Sequence, residues 1–558
     1  MSMFCFQCQE AANGEGCTVS GMCGKAPETA ALQDALMHVA RGVAIYAHAL
    51  NNESSISLGI KAACYRWLRI ALFTTITNAN FDNLTIESQI YRGLGHRLSL
   101  QDQCNELGIT LPTELRSFAS WNPSNREEMV AAQAEIGVLR TGDIDSRSLR
   151  ELLTYGLKGF AAYLHHAAEL GEESAVLNAY LVRGLVATVD SQVDNNTLTA
   201  LVLETGAKGL AAMALLDTAN TNLYGHPELT QVSIGVGERP GILVSGHDLA
   251  DLEALLVQSE DAGIDVYTHS EMLPAHGYPG LKKYPHLYGN YGNAWWKQHQ
   301  EFTSFRGPIL FTTNCIVPPP SNAVYANKVF TTGAAGFPGY RHIDPDSDGH
   351  KDFSVLIELA KSCQSPEAIE DGTITIGFGH NQASQLAQPI LEAIHEGVVK
   401  GFVVMAGCDG RQPQRSYYTD VAEQLGKGTV ILTAGCAKYR YNKCDLGTID
   451  GPGGIAIPRV LDAGQCNDSY SLVLTALALK EALKLDDINE LPIEYNIAWY
   501  EQKAVIVLLA LLHIGVKNIR LGPSLPAFLS TRVTQLLVKQ FGIQTITEEA
   551  SLQLNVLK

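Results

Sequence analysis

Between residues 241 and 501, short apolar runs end repeatedly on a residue able to bind a metal. "GILVSG" runs into His247, "IDVYTHS" into Glu271 and "GPILFTTN" into Cys315. "GFVVMAG" runs into Cys408 and "GTVILTAG" into Cys436. Runs of this length alternating with helical stretches predict parallel sheets of the α/β type. In open α/β sheets, ligands bind outside the carboxyl ends of the strands. These five residues therefore stand where a site is expected. Cys466 follows a glycine-containing turn in "DAGQCND", and Glu501 heads an apolar helix in "WYEQKAVIVLL". A buried carboxylate needs a partner, and a metal is one.

Ligand softness narrows the metal. Several thiolates suit zinc or iron–sulfur chemistry, while the added imidazole and carboxylates leave room for oxygen-bridged iron. Six or seven protein ligands exceed what one tetrahedral zinc takes. A polynuclear iron cluster of mixed sulfur and oxygen character uses them all. Taken singly, each residue has a plainer reading: a strand-end cysteine is usually a small buried hydrophobe. The joint pattern is what argues for a site. Cys64, Cys104, Cys363 and Cys444 lack that placement and are read as ordinary thiols.

Four more cysteines open the chain. Cys5, Cys8, Cys17 and Cys23 follow the spacing C-x2-C-x8-C-x5-C. A C-x2-C pair lets two thiolates grip one centre from a tight turn, and Gly14, Gly16, Gly21 and Gly24 supply backbone freedom around it. Zinc also accepts four cysteines, although no second C-x2-C knuckle follows. The spacing favours iron–sulfur and leaves zinc open.

From Glu28 to Thr218 apolar residues recur at three and four spacing, as in "LRELLTYGLKGFAAYLHHAAEL", which predicts one or two helix bundles. Polar, glycine- and proline-bearing text breaks the pattern at Asn220–Gln231, and a second polar stretch covers Gln364–Gly372. The expected architecture is multidomain: an N-terminal iron–sulfur segment with a helix-bundle domain (1–222), then two α/β domains with mainly parallel sheets (223–368 and 369–558). A chain of 558 residues is long enough for several cores.

The net charge is −18 and no dense Lys/Arg run is visible, which argues against a nucleic-acid partner. The N-terminus lacks a signal-peptide pattern, and the most apolar run, Ala504–Leu512, is too short to span a bilayer. The expectation is a cytoplasmic protein off the membrane. In a reducing compartment, twelve cysteines read as thiols or metal ligands rather than disulfides. Neither G-x-G-x-x-G nor a Walker loop sits between a strand and a helix, so electrons for any redox chemistry are expected from a partner protein.

The chain resembles the hybrid-cluster proteins, also called prismane proteins or hydroxylamine reductases. The likeness runs close to full length, through "MFCFQC…GMCGK", "VSGHDLADL", "VYTHSEMLPAHGYP", "GCDGRQPQRSYYTD", "LTAGCAKYRYNK" and "WYEQKAVIVLLALL". A more distant likeness is to nickel carbon monoxide dehydrogenases. The resemblance implies a [4Fe-4S] cluster on Cys5, Cys8, Cys17 and Cys23, this short spacing being that of the cubane subgroup. It implies a hybrid [4Fe-2O-2S] cluster on His247, Glu271, Cys315, Cys408, Cys436, Cys466 and Glu501, between domains. It further implies a persulfide on Cys408 and Lys503 at the cluster, as ligand or close neighbour. The implied activity is reduction of hydroxylamine to ammonia and water, with Glu271, Glu501, Lys503 and His247 as proton-handling candidates. Electrons would come from an NADH-dependent reductase or ferredoxin. The resemblance also implies a link to nitrosative stress; nitric oxide reduction to nitrous oxide and protein S-nitrosylation are the alternatives.

Overall fold

The computed structural model describes residues 3–51 and 58–546. Its first part is helical: Pro27–Ala49, Leu58–Thr74, Asn83–Glu106, Ile144–Glu169, Ala175–Ala187 and Asn195–Tyr224 are the long helices. Four of them begin on a side-chain cap, in which Asp82, Asp143, Ser174 and Asp194 each accept a first-turn N–H. Each such cap satisfies a donor that the helix itself leaves unpaired. Ile144–Glu169 runs through the middle of the bundle and is buried along nearly its whole length from Ser148 to Ala167.

A helix from the far end of the chain completes this bundle. Gln502–His513 is apolar on every side and lies against Ile144–Glu169 and Asn195–Tyr224. Glycines permit the approach: a Cβ on Gly206 would stand 2.1 Å from the Leu509 carbonyl oxygen, and one on Gly159 2.3 Å from that of Gln502. Asn195–Tyr224 is the one helix among the described residues long and apolar enough, by length and composition, to cross a membrane. Its small-residue face is here used against Gln502–His513.

After the bundle the chain forms β1 (Thr230–Ser233) and enters the first sheet. That sheet contains β2 (Gly241–Ser245), β3 (Asp265–His269), β4 (Leu287–Asn290), β5 (Ile309–Phe311), β6 (Val329–Thr332) and β7 (Arg341–Ile343). Every pairing is parallel, in the spatial order β4-β3-β2-β5-β6-β7. Next come β8 (Thr373–Ile376), β9 (Gly401–Gly407), β10 (Thr429–Thr433), the short hairpin β11 (Thr448–Asp450) and β12 (Ala456–Pro458), and β13 (Val460–Asp462). The chain ends with β14 (Ile493–Ala498), β15 (Arg520–Gly522) and β16 (Gln544–Thr545). The second sheet is also wholly parallel, in the order β13-β10-β9-β14-β15-β16.

In both sheets the strand order reverses beside the first strand formed, between β2 and β5 and between β9 and β14. Such reversal points leave a crevice at the carboxyl ends of the strands. The run "TITIGFG" does not join either parallel sheet. Its strand β8 pairs antiparallel with β1, which ties the two α/β parts together at a ladder from Thr230↔Ile376 to Ser233↔Thr373. The helical text expected to end near Asn220 continues as helix to Tyr224. One apolar cluster also runs from the bundle (Leu32, Leu153, Phe160) through Ile506 into the second sheet (Val404, Leu521). Bundle and second sheet are thus bonded through one core.

The helix contact yields a paired test. Gly206→Ala should lower stability by about 1–3 kcal/mol or more, because it overpacks backbone against backbone. Gly95→Ala, in the exposed part of Asn83–Glu106 with open space around its Cβ, should raise stability by about 0.5–1 kcal/mol. Thermal unfolding of the two variants checks both signs.

Candidate metal centres

The N-terminal quartet is wrapped by a short antiparallel bridge. Cys5 N–H donates to the Cys17 carbonyl at 3.1 Å, and Cys17 N–H returns to Cys5 at 2.8 Å. Cys8, Cys17 and Cys23 are buried and Cys5 is partly so; all four are free thiols. Burial, then the charges of Cys23 and Cys5, push the Cys8 thiol well up, and burial also raises Cys23. Lys25 is buried beside them, its Nζ 3.8 Å from Cys5 Sγ. Burial opposes its charge, but Cys5 and then Cys23 outweigh this and hold its ammonium above the usual range. Four crowded thiols with a buried cation form a donor set that loses its mutual repulsion when one cationic centre binds them.

The inner site is built from strand ends. His247 follows β2, Glu271 follows β3 and Cys315 follows β5, all on the first sheet. Cys408 follows β9, Cys436 follows β10, Cys466 follows β13 and Glu501 follows β14, all on the second. All seven line one small cavity, with Thr77, Asn78, Trp295, Asn314 and Tyr500 among the other walls. One ligand atom each from His247, Glu271 and Cys466 lie within 4.8 Å of one another. Gly407, directly before Cys408, has φ +109, and a Cβ there would stand 1.9 Å from the Ala498 carbonyl oxygen. Only glycine lets β9 turn toward the cavity so close to β14. Cys315 itself has φ +82, a conformation costing a non-glycine residue about 1–3 kcal/mol and typical of functional positions.

Neighbouring groups orient the donors. His247 Nδ1 bonds Thr313 Oγ1 at 2.8 Å, and its Nε2 lies 2.9 Å from Lys503 Nζ and 3.8 Å from Glu271 Oε2. With Nδ1–H held by Thr313, the Nε2 lone pair here receives the Lys503 ammonium; a metal would use that same lone pair. Burial, then the Lys503 charge, keep His247 well below the usual imidazole range. Cys466 N–H donates to Glu271 Oε2 at 3.0 Å, and Ser270 Oγ lies 3.1 Å from Cys436 Sγ. Gln465 spans the two sheets: its amide donates to the main-chain carbonyls of His247 at 3.0 Å and Glu271 at 2.9 Å.

Glu501 caps its helix by accepting the Lys503 N–H at 2.8 Å, and the Lys503 ammonium lies 3.6 Å from its other oxygen. Burial pushes the Glu501 carboxyl up, against the pull of Lys503. Burial pulls Lys503 down, but surrounding negative charge, that of Glu501 first, outweighs it and holds Lys503 above the usual lysine range. Burial and then Glu501 and Glu271 push Cys408 up to about 12. Burial likewise drives Cys315, Cys436 and Cys466 well up. Soft thiols, one imidazole and two carboxyls sharing a buried cavity match a cluster with both sulfur and oxygen around iron.

The remaining cysteines stay outside both groups. Cys64 lies 3.9 Å from His96 Nδ1, Cys104 is in the bundle core, Cys363 donates to the Leu359 carbonyl and Cys444 lies near that of Arg440. Sequence reasoning missed Gln465, Thr313, Asn314, Ser270 and Tyr500. Each is a direct chain neighbour of a named residue or one step removed, and that adjacency was the available signal. Tyr500 touches both the inner cavity and the loop that carries Cys8. It lines the inner cavity, its hydroxyl reaches Glu10 Oε2 at 3.4 Å, and its carbonyl accepts the Gln9 N–H at 3.0 Å.

The chain is 55% identical over 570 residues to a hydroxylamine reductase of Clostridium botulinum (strain Loch Maree / Type A3), covering 98% of each chain. It is 56% identical over 549 residues to a hydroxylamine reductase of Desulfovibrio desulfuricans, covering 98% of this chain and 97% of that one. In fold it matches carbon monoxide dehydrogenase IV from Carboxydothermus hydrogenoformans, with TM-score 0.57 and 17% identity over 97% of this chain and 88% of the other. A profile of the Prismane/CO dehydrogenase family matches residues 3–551, and the chain belongs to that family.

Proposed function

We propose that this protein reduces hydroxylamine to ammonia and water at an inner iron–sulfur–oxygen cluster. His247, Glu271, Cys315, Cys408, Cys436, Cys466 and Glu501 would hold that cluster, with a persulfide on Cys408. A [4Fe-4S] cluster on Cys5, Cys8, Cys17 and Cys23 would take electrons from an external donor protein, an NADH-dependent reductase or a ferredoxin. The observation that carries this reading is the convergence of seven sulfur, nitrogen and oxygen donors from the strand ends of two sheets on one buried cavity. Relatives named hydroxylamine reductase, alike over nearly the whole chain, support the substrate.

Cleaving the N–O bond of hydroxylamine consumes two electrons and two protons and releases ammonia and water. When bound, the cluster supplies electrons and an electrophilic iron position for the substrate. The chain supplies protons and order. Lys503 holds a proton between Asn314 Oδ1 at 2.7 Å and the Glu501 carboxylate, its contact with His247 Nε2 giving way when that nitrogen binds the cluster. Glu501, whose carboxyl burial pushes up, lies beside Lys503 and is the neighbouring group placed to exchange a proton with it. Trp295, whose ring centroid lies 4.6 Å from that of Tyr500, helps keep bulk water from that wall. Tyr500 also bridges the interval across which electrons would pass from the quartet.

One observation favours nitric oxide as a second substrate. Behind Cys466 and Gly407 lies an apolar void lined by Val404, Ala406, Leu432 and Ile497, suited to an uncharged diatomic. Anaerobic turnover with reduced viologen and matched low concentrations of each substrate separates the readings. The proposal expects ammonia at one per two electrons, lost in Cys408→Ser. Nitrous oxide formation without ammonia favours the second reading, and turnover of neither by iron-replete protein removes both.

Gln465 gives a further test. Gln465→Met keeps the volume but loses both bonds across the sheets, worth about 2 kcal/mol. Electron paramagnetic resonance (EPR) of this variant should show the inner-cluster signal altered and activity down about tenfold or more, as for loss of a ligand-orienting partner. The quartet signal should persist. An unaltered inner-cluster spectrum would contradict the orienting role.

A further inference from the structure

Arg415 is fully buried, 0% exposed, yet no carboxylate stands within ion-pair distance of it among the described residues. Its guanidinium meets only neutral acceptors. Nη1 donates to the Cys408 carbonyl at 3.0 Å, while Nη2 donates to Gln9 Oε1 at 3.1 Å and to the Trp499 carbonyl at 2.8 Å. Nε has no partner at all. Asp409, the acid that follows Cys408, is already held by Arg440 Nε at 2.8 Å and by the Trp296 indole N–H. Some other buried cations are matched by an acid, Arg69 by Glu173, Lys438 by Asp462 and Lys503 by Glu501, whereas Arg41, Arg97, Lys158 and Arg459 also bond neutral acceptors; Arg415 differs from these in bonding the main chain of a candidate cluster ligand, Cys408. A buried guanidinium answered only by neutral oxygens carries a desolvation cost of several kcal/mol that hydrogen bonds alone recover poorly.

The three acceptors show where the missing countercharge lies. One is Cys408 itself, one is the residue directly after Cys8, and one lies two residues before Glu501. Arg415 therefore sits at the junction of the quartet loop, the β9 end and the β14 end. Burial dominates the upward shift of the Cys408 thiol, with Glu501 and Glu271 adding to it, and the Arg415 charge acts in the opposite sense.

We propose that Arg415 is a redox-tuning positioning residue, whose fixed positive charge stabilises the extra negative charge that each cluster carries when reduced. The inference rests on the two-cluster reading above. Each one-electron reduction by the external donor adds one negative charge to a cluster. A fixed cation in a low-dielectric interior favours that reduced state and raises its potential. Arginine suits the position because it stays charged when buried and binds three acceptors in a fixed plane.

The test is an anaerobic, EPR-monitored redox titration of the holoprotein and two variants. Arg415→Gln removes the charge and keeps donors; Arg415→Lys keeps the charge and loses the fork. The expected result is a lower midpoint potential of the inner cluster in Arg415→Gln, with Arg415→Lys close to the parent. If Arg415→Gln does not retain the inner cluster, the quartet potential is read instead, and the same order of variants is expected. Unchanged potentials in Arg415→Gln overturn the inference. So does an Arg415→Lys potential that falls as far as that of Arg415→Gln, or an Arg415→Lys protein that loses the inner cluster. Absence of iron from the parent protein would instead remove the two-cluster reading itself.

Discussion

The buried Glu501–Lys503 pair at the head of helix Gln502–His513 is the constraint on which the rest of the structure depends. The body of this helix is apolar all round and is locked into the bundle by close backbone contact with Gly206 and Gly159. Its first turn consequently cannot retreat, and it holds Glu501 in the wall of the inner cavity and the Lys503 ammonium against His247 and Asn314 of that wall. The adjacent Gln502 amide donates to the Gln7 carbonyl at 2.7 Å, and its oxygen accepts the Thr77 N–H at 3.0 Å. One helix end thus binds the bundle, the second sheet, the cavity and the N-terminal loop. Burying these charges is costly unless each is answered, and here Lys503 is answered by Glu501, His247 and Asn314 together.

Much of the inner site was legible from the chain because α/β architecture is rule-bound. A strand of four to seven apolar residues followed by Gly or Asn and then Cys, His or Glu says both where the residue lies and which way the crevice opens. His247, Cys315, Cys408 and Cys436 were readable on that ground. Glu501 was readable because a lone acid at the start of an apolar run must find a partner. The quartet was legible as a four-thiol group, but spacing alone did not choose between iron and zinc.

What escaped was set by partners far away in sequence. Gln465 is an ordinary polar residue until its amide is found on two carbonyls 218 and 194 residues away. Arg415 reads as one arginine in a polar turn, and its bond to Gln9 spans 406 residues. The run "TITIGFG" looks like another parallel strand, since the hydrophobic pattern carries no information on the direction of a neighbour; only the fold shows it paired antiparallel with β1. The same holds for Gln502–His513, whose apolar text announces burial but not burial in a bundle formed some three hundred residues earlier.

Two metal centres joined through Tyr500, Gln9 and Arg415 are the core of this account. Metal analysis of anaerobically purified protein, read together with its EPR spectra under stepwise reduction, tests it most directly. The account predicts iron without stoichiometric zinc, and two distinct iron–sulfur signals, one from the N-terminal quartet and one from the inner site. Zinc in the quartet with no iron in the protein would contradict it.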